Sequence, residues 1–420
     1  MSQLSQLAET LIGSEIVRLG NEIAVRVNRG EKIYNYTIGD FDPQIFPIPQ
    51  ELEDAIVDAY RKKLTNYPPG DGVLELRQAV ASFIKDREGI DYAANEIQIA
   101  AGGRPLIYSL FRTVVNPGDK VIYAVPSWNN NHYTHMNGGE HCLIETSPEN
   151  DFMPTAADIA PHIEGAALLC LCTPQNPTGT TLAKAELEKI CDLVLEENKQ
   201  RGEGKKLYVM FDQMYFTLTY GETEHYNPVS LRPEMKQYTI FIDGISKAFA
   251  ATGVRVGWAM GPVHVIAKMK ALLSHIGAWS PMAEQMATAK YLQQKDALNT
   301  YLVSFKKELE ERLWAIYNGI ISLKEKGYPV DAIAPQAAIY LTIKIELAGK
   351  DIDGRTMATQ AEVTEYLLNE AKLAIVPFYA FGADSRSPWY RLSIGACKKQ
   401  EINEMLGMLE AAVQRMAVLS

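Results

Sequence analysis

The chain has 420 residues, 47% hydrophobic and 22% charged, with a net charge of −10, the balance of a globular protein long enough for two domains and a large core. The acidic excess argues against nucleic acid as a partner, and no apolar run approaches the length of a membrane span. The start, Met-Ser-Gln-Leu-Ser-Gln, lacks a secretory signal's basic and apolar regions, and Cys142, Cys170, Cys172, Cys191 and Cys397 form neither a CxxC pair nor an even framework, so reduced thiols in a cytoplasmic setting are expected.

In chain order, residues 121–125 are apolar and β-rich and read as a buried strand, running into Pro126-Ser127-Trp128. His132 and His135 follow at a spacing that shares a helix face, but no third ligand accompanies them, so zinc is not expected. Residues 166–172 form the next strand, with Cys170 and Cys172 on one of its faces, read as small core residues. It runs into Thr-Pro-Gln-Asn-Pro-Thr-Gly (173–179), and residues 182–197 have helical character. Residues 207–211 run into Asp212-Gln-Met-Tyr215, and residues 238–242 into Asp-Gly-Ile-Ser-Lys (243–247). Helix-spaced apolar residues recur over 282–294 and 301–323, and residues 338–345 and 391–394 read as later strands. No internal repeat interrupts this order.

Strands alternating with helices predict an α/β domain with a parallel sheet, and near-continuous apolar strands fit a sheet covered on both faces. Ligands in such folds sit outside the carboxyl ends of the strands. The polar residues above all fall there, so one cleft should gather them. Lys247 stands out among them. A lysine at the exit of a buried strand is partly desolvated, which favours a neutral, nucleophilic amine able to condense with an aldehyde. For an arbitrary lysine, a solvated helix opening is the commoner reading; the polar residues at the other strand exits weigh against it here.

Taken as an ordered series, Tyr36-Thr-Ile-Gly39, Asn66-Tyr67-Pro-Pro-Gly70, Glu75-Leu-Arg77, Ala101-Gly102-Gly103-Arg104 and Asn116-Pro-Gly-Asp119 resemble segments of one family. The series continues with Gln175-Asn176-Pro-Thr-Gly179, Asp212-Gln-Met-Tyr215, Ser246-Lys247, Arg255-Val-Gly257, Val376-Pro377 with Phe381-Gly382, and Trp389-Tyr-Arg391-Leu-Ser. Over nearly its whole length the chain is similar to the fold-type-I pyridoxal-phosphate enzymes of the class I/II, aspartate aminotransferase-like family. That resemblance implies a large domain with a mostly parallel seven-stranded sheet and a smaller α+β domain built from both termini. The expected division is 1–45 for an N-terminal arm, 46–295 for the cofactor domain and 296–420 for the C-terminal part.

The resemblance also implies roles. Pyridoxal phosphate needs an amine, an anion at its ring nitrogen, a phosphate cradle and a stacking wall. Lys247 resembles the amine donor and Asp212 the carboxylate that keeps the ring protonated, where an N-cap is the plainer reading. Tyr215 and Asn176 resemble the pair at the cofactor's phenolic oxygen, although Asn176 also sits in an ordinary turn sequence. Gly102, Gly103 and Arg104 open a helix whose N–H groups suit a phosphate, with Ser246 and Arg255 as side-chain ligands. Trp128 resembles the stacking residue, against the alternative of a core tryptophan. Tyr67 resembles a residue that reaches the neighbouring subunit's phosphate, which implies a homodimer with shared sites. Arg391 and Gly39 resemble the holders of the substrate α-carboxylate, where a surface ion pair is the plainer reading of Arg391. No metal ligand set is expected.

The implied activity is amino-group transfer between an amino acid and a 2-oxo acid. Arg104 stands where some relatives carry a lysine for a distal carboxylate, which favours aspartate or glutamate; a phosphate or surface role is the alternative. Ile16, Phe378, Ala337 and Ile339 depart from the pattern near the pocket wall. Two other readings use the same fold: a β-lyase or decarboxylase, which shares the lysine, aspartate and arginines, and the sensory part of a transcription regulator. The second would need an added DNA-binding module, for which an acidic chain with motifs starting near its N-terminus leaves no room.

Overall fold

A computed structural model of the chain describes residues 4–13, 15–352 and 354–415. Its centre is a seven-stranded sheet of β1 (Ile97–Ala100), β2 (Lys120–Val125), β3 (Glu140–Glu145), β4 (Ala166–Cys172), β5 (Tyr208–Asp212), β6 (Thr239–Gly244) and β7 (Gly257–Met260). The spatial order is β1-β7-β6-β5-β4-β2-β3. Neighbours from β6 to β3 pair in parallel, and β7 alone runs antiparallel to both its neighbours. The mainly parallel sheet expected from the sequence is therefore present.

The central strands are apolar over most of their length because each face meets a layer of helices. Val121, Tyr123, Leu168, Cys170, Met210, Ile240 and Ile242 pack into one core with Leu106, Phe111 and Met269. The alternate residues Ile122, Leu169, Leu171, Val209, Phe211 and Phe241 pack on the other face with Leu76, Val80, Leu187 and Tyr291. Truncating a fully buried ring such as Phe211 costs about 3–5 kcal/mol. The edge strand β3 differs: its alternating exposed and charged residues blunt an open edge.

A second sheet is antiparallel: β8 (Val330–Ala332), β9 (Tyr340–Ile345), β10 (Val376–Pro377) and β11 (Trp389–Ser393), in the order β10-β11-β9-β8. Its core joins Leu341, Ile343, Tyr390 and Leu392 to Leu309, Leu313 and Ile316 of the long helix Lys295–Glu325, and to Met405 and Leu409 of the helix Ile402–Gln414. Residues from the start of the chain enter the same core, including Tyr34, Tyr36, Phe41 and Phe46. Tyr34–Asn35 pairs in parallel with Leu373–Ala374.

Several boundaries differ from the sequence reading. The long helix begins at Lys295, not 301, because no proline or glycine separates Gln294 from Tyr301. The strand expected from 338 begins at Tyr340, since Ala338 has φ +62, outside the β region. Asp212 ends β5 itself instead of following it.

Candidate active site

At the carboxyl ends of β5 and β6 lies a cavity of about 400 Å³. Its lining includes Gly39, Gly103, Arg104, Trp128, Asn176, Asp212, Tyr215, Ser246, Lys247, Arg255 and Arg391, so most of the residues singled out from sequence meet in one place. Gly102 adjoins it. The lining carries four basic side chains, Arg104, Lys247, Arg255 and Arg391, against two carboxylates, Asp40 and Asp212. On a chain of net charge −10, this cavity is a local positive sink for anions.

Lys247 follows β6 in the short helix Ile245–Ala248. Its Nζ donates to the Gly39 carbonyl and faces the Phe41 ring, 5.5 Å away. Burial pushes its pKa down to about 8; Asp40 opposes the shift, while Arg391, Arg104 and Arg255 assist it. Asp212 has the opposite problem. Burial raises its pKa to about 6, opposed by the Met214 N–H that donates to Oδ1 at 3.1 Å. No lysine or arginine forms an ion pair with Asp212 among the described residues. A buried carboxylate without a cation is costly, and a protonated ring nitrogen would answer it.

The anion cradle is built where β1 meets the helix Gly103–Val114. Gly102 has φ +88, and a Cβ there would overlap the Arg255 guanidinium, so only glycine fits. Arg255 itself has φ +63, a costly conformation for a side-chain-bearing residue. Its guanidinium donates to the carbonyls of Thr252 at 2.6 Å and Ala101 at 2.7 Å, both neutral acceptors. A charge held by neutral groups beside a helix N-terminus suits a phosphate.

Arg391, on β11, is 1% exposed. It donates to Asn176 Oδ1 at 3.0 Å and to the Thr37 carbonyl at 2.6 Å, and its Nε has no partner among the described residues. Burial lowers its pKa. The guanidinium lies between the rings of Tyr340 and Phe381, each 4.8 Å away. An unneutralised buried guanidinium at the base of a cleft suits a carboxylate. Arg104 lies at the rim, 5.1 Å from the Trp128 ring.

Two predicted residues fall elsewhere or behave differently. Tyr67 does not line this cavity; it is 81% exposed and packs 5.2 Å from Trp279 in a separate cleft. Cys172, expected as core, lines the cavity, although burial raises its thiol pKa far above the ordinary range and keeps it protonated. His132 and His135 lie on the helix Asn130–Met136, where His135 Nε2 meets Thr10 Oγ1 at 3.0 Å. Ile16 also lines the cavity and packs against the cluster of Phe152, Val376, Phe378 and Phe381, in which Phe378 stands edge-on to Phe152 at 5.0 Å. The sequence reading missed Tyr340 and Asp40, and named Phe381 only as part of a motif, without a role. Aromatic residues in apolar stretches look like core, and only Asp40's place beside Gly39 offered a signal.

The fold and the donor set define a pyridoxal-phosphate enzyme. Comparison with known proteins narrows this. The family described as aminotransferase class I and II matches residues 33–409. The aspartate aminotransferase of Bacillus sp. (strain YM-2) is 31% identical over 343 residues, 81% of this chain and 83% of that protein. The crystal structure of the aspartate aminotransferase from Rhizobium meliloti superposes with a TM-score of 0.89 at 26% identity, covering 99% of this chain and 100% of that one. The Thermus thermophilus aspartate aminotransferase with maleate gives 0.87 at 26% identity, covering 98% and 100%. The chain belongs to the class I and II aminotransferases. It is a pyridoxal-phosphate-dependent enzyme that moves an amino group between an amino acid and a 2-oxo acid.

Proposed function

We propose that the amino donor is aspartate or glutamate. The carrying observation is that, besides Arg255 of the phosphate cradle, the cleft holds two guanidiniums with no carboxylate partner among the described residues, Arg391 at its base and Arg104 at its rim. One suits an α-carboxylate and the second a distal one. Relatives named for aspartate, and one neighbour holding the dicarboxylate maleate, agree with this choice.

Within this reading each residue has a task. Bound pyridoxal phosphate withdraws electrons from the substrate α-carbon through its protonated ring. Asp212 holds the proton on that ring. Gly102, Gly103, Arg104, Ser246 and Arg255 cradle the phosphate, with Arg104 shared between cradle and substrate, and Trp128 walls the ring. Asn176 and Tyr215 bind the phenolic oxygen. Arg391 and Gly39 orient the substrate carboxylate. Lys247 is the cofactor's covalent anchor; once displaced, its neutral Nζ removes the α-proton and returns it on the opposite side of the substrate nitrogen.

The same reading divides the chain into 1–45, 46–295 and 296–420, with the cleft at their seam. Gly39 comes from the first part, Lys247 from the second and Arg391 from the third. It includes a homodimer in which Tyr67 serves the partner's phosphate, supported by that residue's exposure and by the exposed Leu7, Leu11 and Ile12 near the N-terminus. Five cysteines without a disulfide agree with a cytoplasmic setting, and no helix among the described residues is long and apolar enough to cross a membrane.

The test is the half-reaction. Aspartate without oxo acid should convert the cofactor to its amino form, with one oxaloacetate per site. Arg104→Gln should weaken aspartate and glutamate about ten- to a hundredfold more than alanine, the loss of one charge-assisted pair. An unchanged aspartate-to-alanine ratio would refute acidic specificity through Arg104.

A further inference from the structure

The hydroxyls of Tyr215 and Tyr340 lie 2.6 Å apart, both residues buried in the cavity wall, with ring centroids 5.5 Å apart. Tyr215 follows β5 of the large sheet, while Tyr340 opens β9 of the second sheet, 125 residues later. The pair therefore ties the cofactor side of the cleft to the substrate-carboxylate side, where the Arg391 guanidinium lies over the Tyr340 ring. The contact leaves no slack: a Cβ at Gly39 would come within 2.8 Å of the Tyr340 oxygen.

A phenol carries one proton. If Tyr215 gives its proton to the cofactor's phenolic oxygen, as the functional reading above holds, the proton between the two tyrosines must come from Tyr340. We propose that Tyr340 is a positioning residue whose hydroxyl donates to Tyr215, fixing the direction of a donor chain that runs from Tyr340 through Tyr215 to the cofactor's phenolic oxygen. This inference rests on the role given to Tyr215. A donor that itself accepts a hydrogen bond donates more strongly. Tyr340 thus strengthens Tyr215's pull on the phenolic oxygen, which then holds the neighbouring proton of the Lys247 linkage less tightly. The linkage loses that proton at a lower pH than Tyr215 alone would allow.

The test is the pH titration of the bound cofactor's visible absorbance in the holoenzyme without substrate. Tyr340→Phe keeps the ring under Arg391 and removes only the hydroxyl. A gain of a tenth to a third of a charge-assisted hydrogen bond converts to a rise in titration midpoint of about 0.1–0.7 pH units on its removal. Tyr215→Phe should raise the midpoint further, and adding Tyr340→Phe to it should change nothing more. An unmoved or lowered midpoint in Tyr340→Phe overturns the proposal. So does an equal rise in both backgrounds, because Tyr340 would then act independently of Tyr215. If Tyr215→Phe itself leaves the midpoint unmoved, the role of Tyr215 falls, and the donor chain with it. A fold defect in Tyr340→Phe would show as lost cofactor stoichiometry, separate from the midpoint.

Discussion

The Arg391 guanidinium donates to the Asn176 side-chain oxygen at 3.0 Å. One residue belongs to β11 of the second sheet, the other to the turn after β4 of the large one. Because Asn176 is neutral, the bond orients Arg391 without cancelling its charge, which stays available to a substrate carboxylate.

Arg391→Lys should therefore lower kcat/KM for every amino donor alike. Lysine keeps a charge but not the two-pronged fork, and losing one charge-assisted bond costs about 1.5–3 kcal/mol, or ten- to a hundredfold. The control is the cofactor's absorbance, which should stay as in wild type. Kinetics that fall for aspartate but not for alanine would reassign Arg391 to the distal carboxylate.

Asp212 carries a stability cost that its function requires. Its pKa rises from 3.8 to about 6 on folding, so the folded state binds the proton more tightly, and stability falls as pH climbs from about 4 to 6. Above that window the cost is on the order of 3 kcal/mol. Cofactor-free Asp212→Asn should accordingly be more stable than wild type at pH 7–8, with no difference below pH 4, while holoenzyme activity drops steeply. Denaturant unfolding at the two pH values checks this. An Asn variant less stable at pH 8 would show that the carboxylate has a cation partner.

Lys247 should be the most reactive lysine of the cofactor-free protein near neutrality. With a pKa pushed to about 8, about a tenth of its amine is neutral at pH 7, against less than a thousandth for an ordinary lysine near 10.4. Labelling with a small amine reagent, read by peptide mass, should be half-maximal near pH 8 for Lys247, about two units below an ordinary lysine. Half-maximal labelling of Lys247 near pH 10 would remove the argument from burial.

The proposed homodimer makes a further prediction. Tyr67→Phe should weaken cofactor binding about tenfold or more by removing one phosphate donor. In hybrids with Lys247→Ala chains, the site with an intact Lys247 receives an intact Tyr67 from the partner subunit, so its cofactor affinity should return to the wild-type value. Affinity that stays weak in the hybrid would place Tyr67 outside the partner's site.

How much of this was readable beforehand depended on the chemistry of each residue. Lys247 and Asp212 are polar residues at the ends of apolar runs, and burying them is costly enough that the pattern draws attention to them; Arg255 and Arg391 sit at no such end and were legible only through the ordered series of motifs that resembles the family. Tyr340 and Phe381 carry no such signal. Both are aromatic residues in apolar stretches, and their roles come from distant partners, Tyr215 and Arg391, that only the fold brings near. Strand ends slipped by a residue where propensity continues past a change of role, as at Asp212. The start of the long helix slipped further, because seven residues without a breaker give no mark of where helix begins.

The central claim is that the amine holding the cofactor is Lys247, inside the cleft between the two sheets. Borohydride reduction of the holoenzyme followed by peptide mapping tests it most directly. One cofactor label per chain is expected, on the peptide containing Lys247, and none in Lys247→Ala. A label on Lys205 or Lys270, or a stoichiometric label surviving in Lys247→Ala, would contradict it.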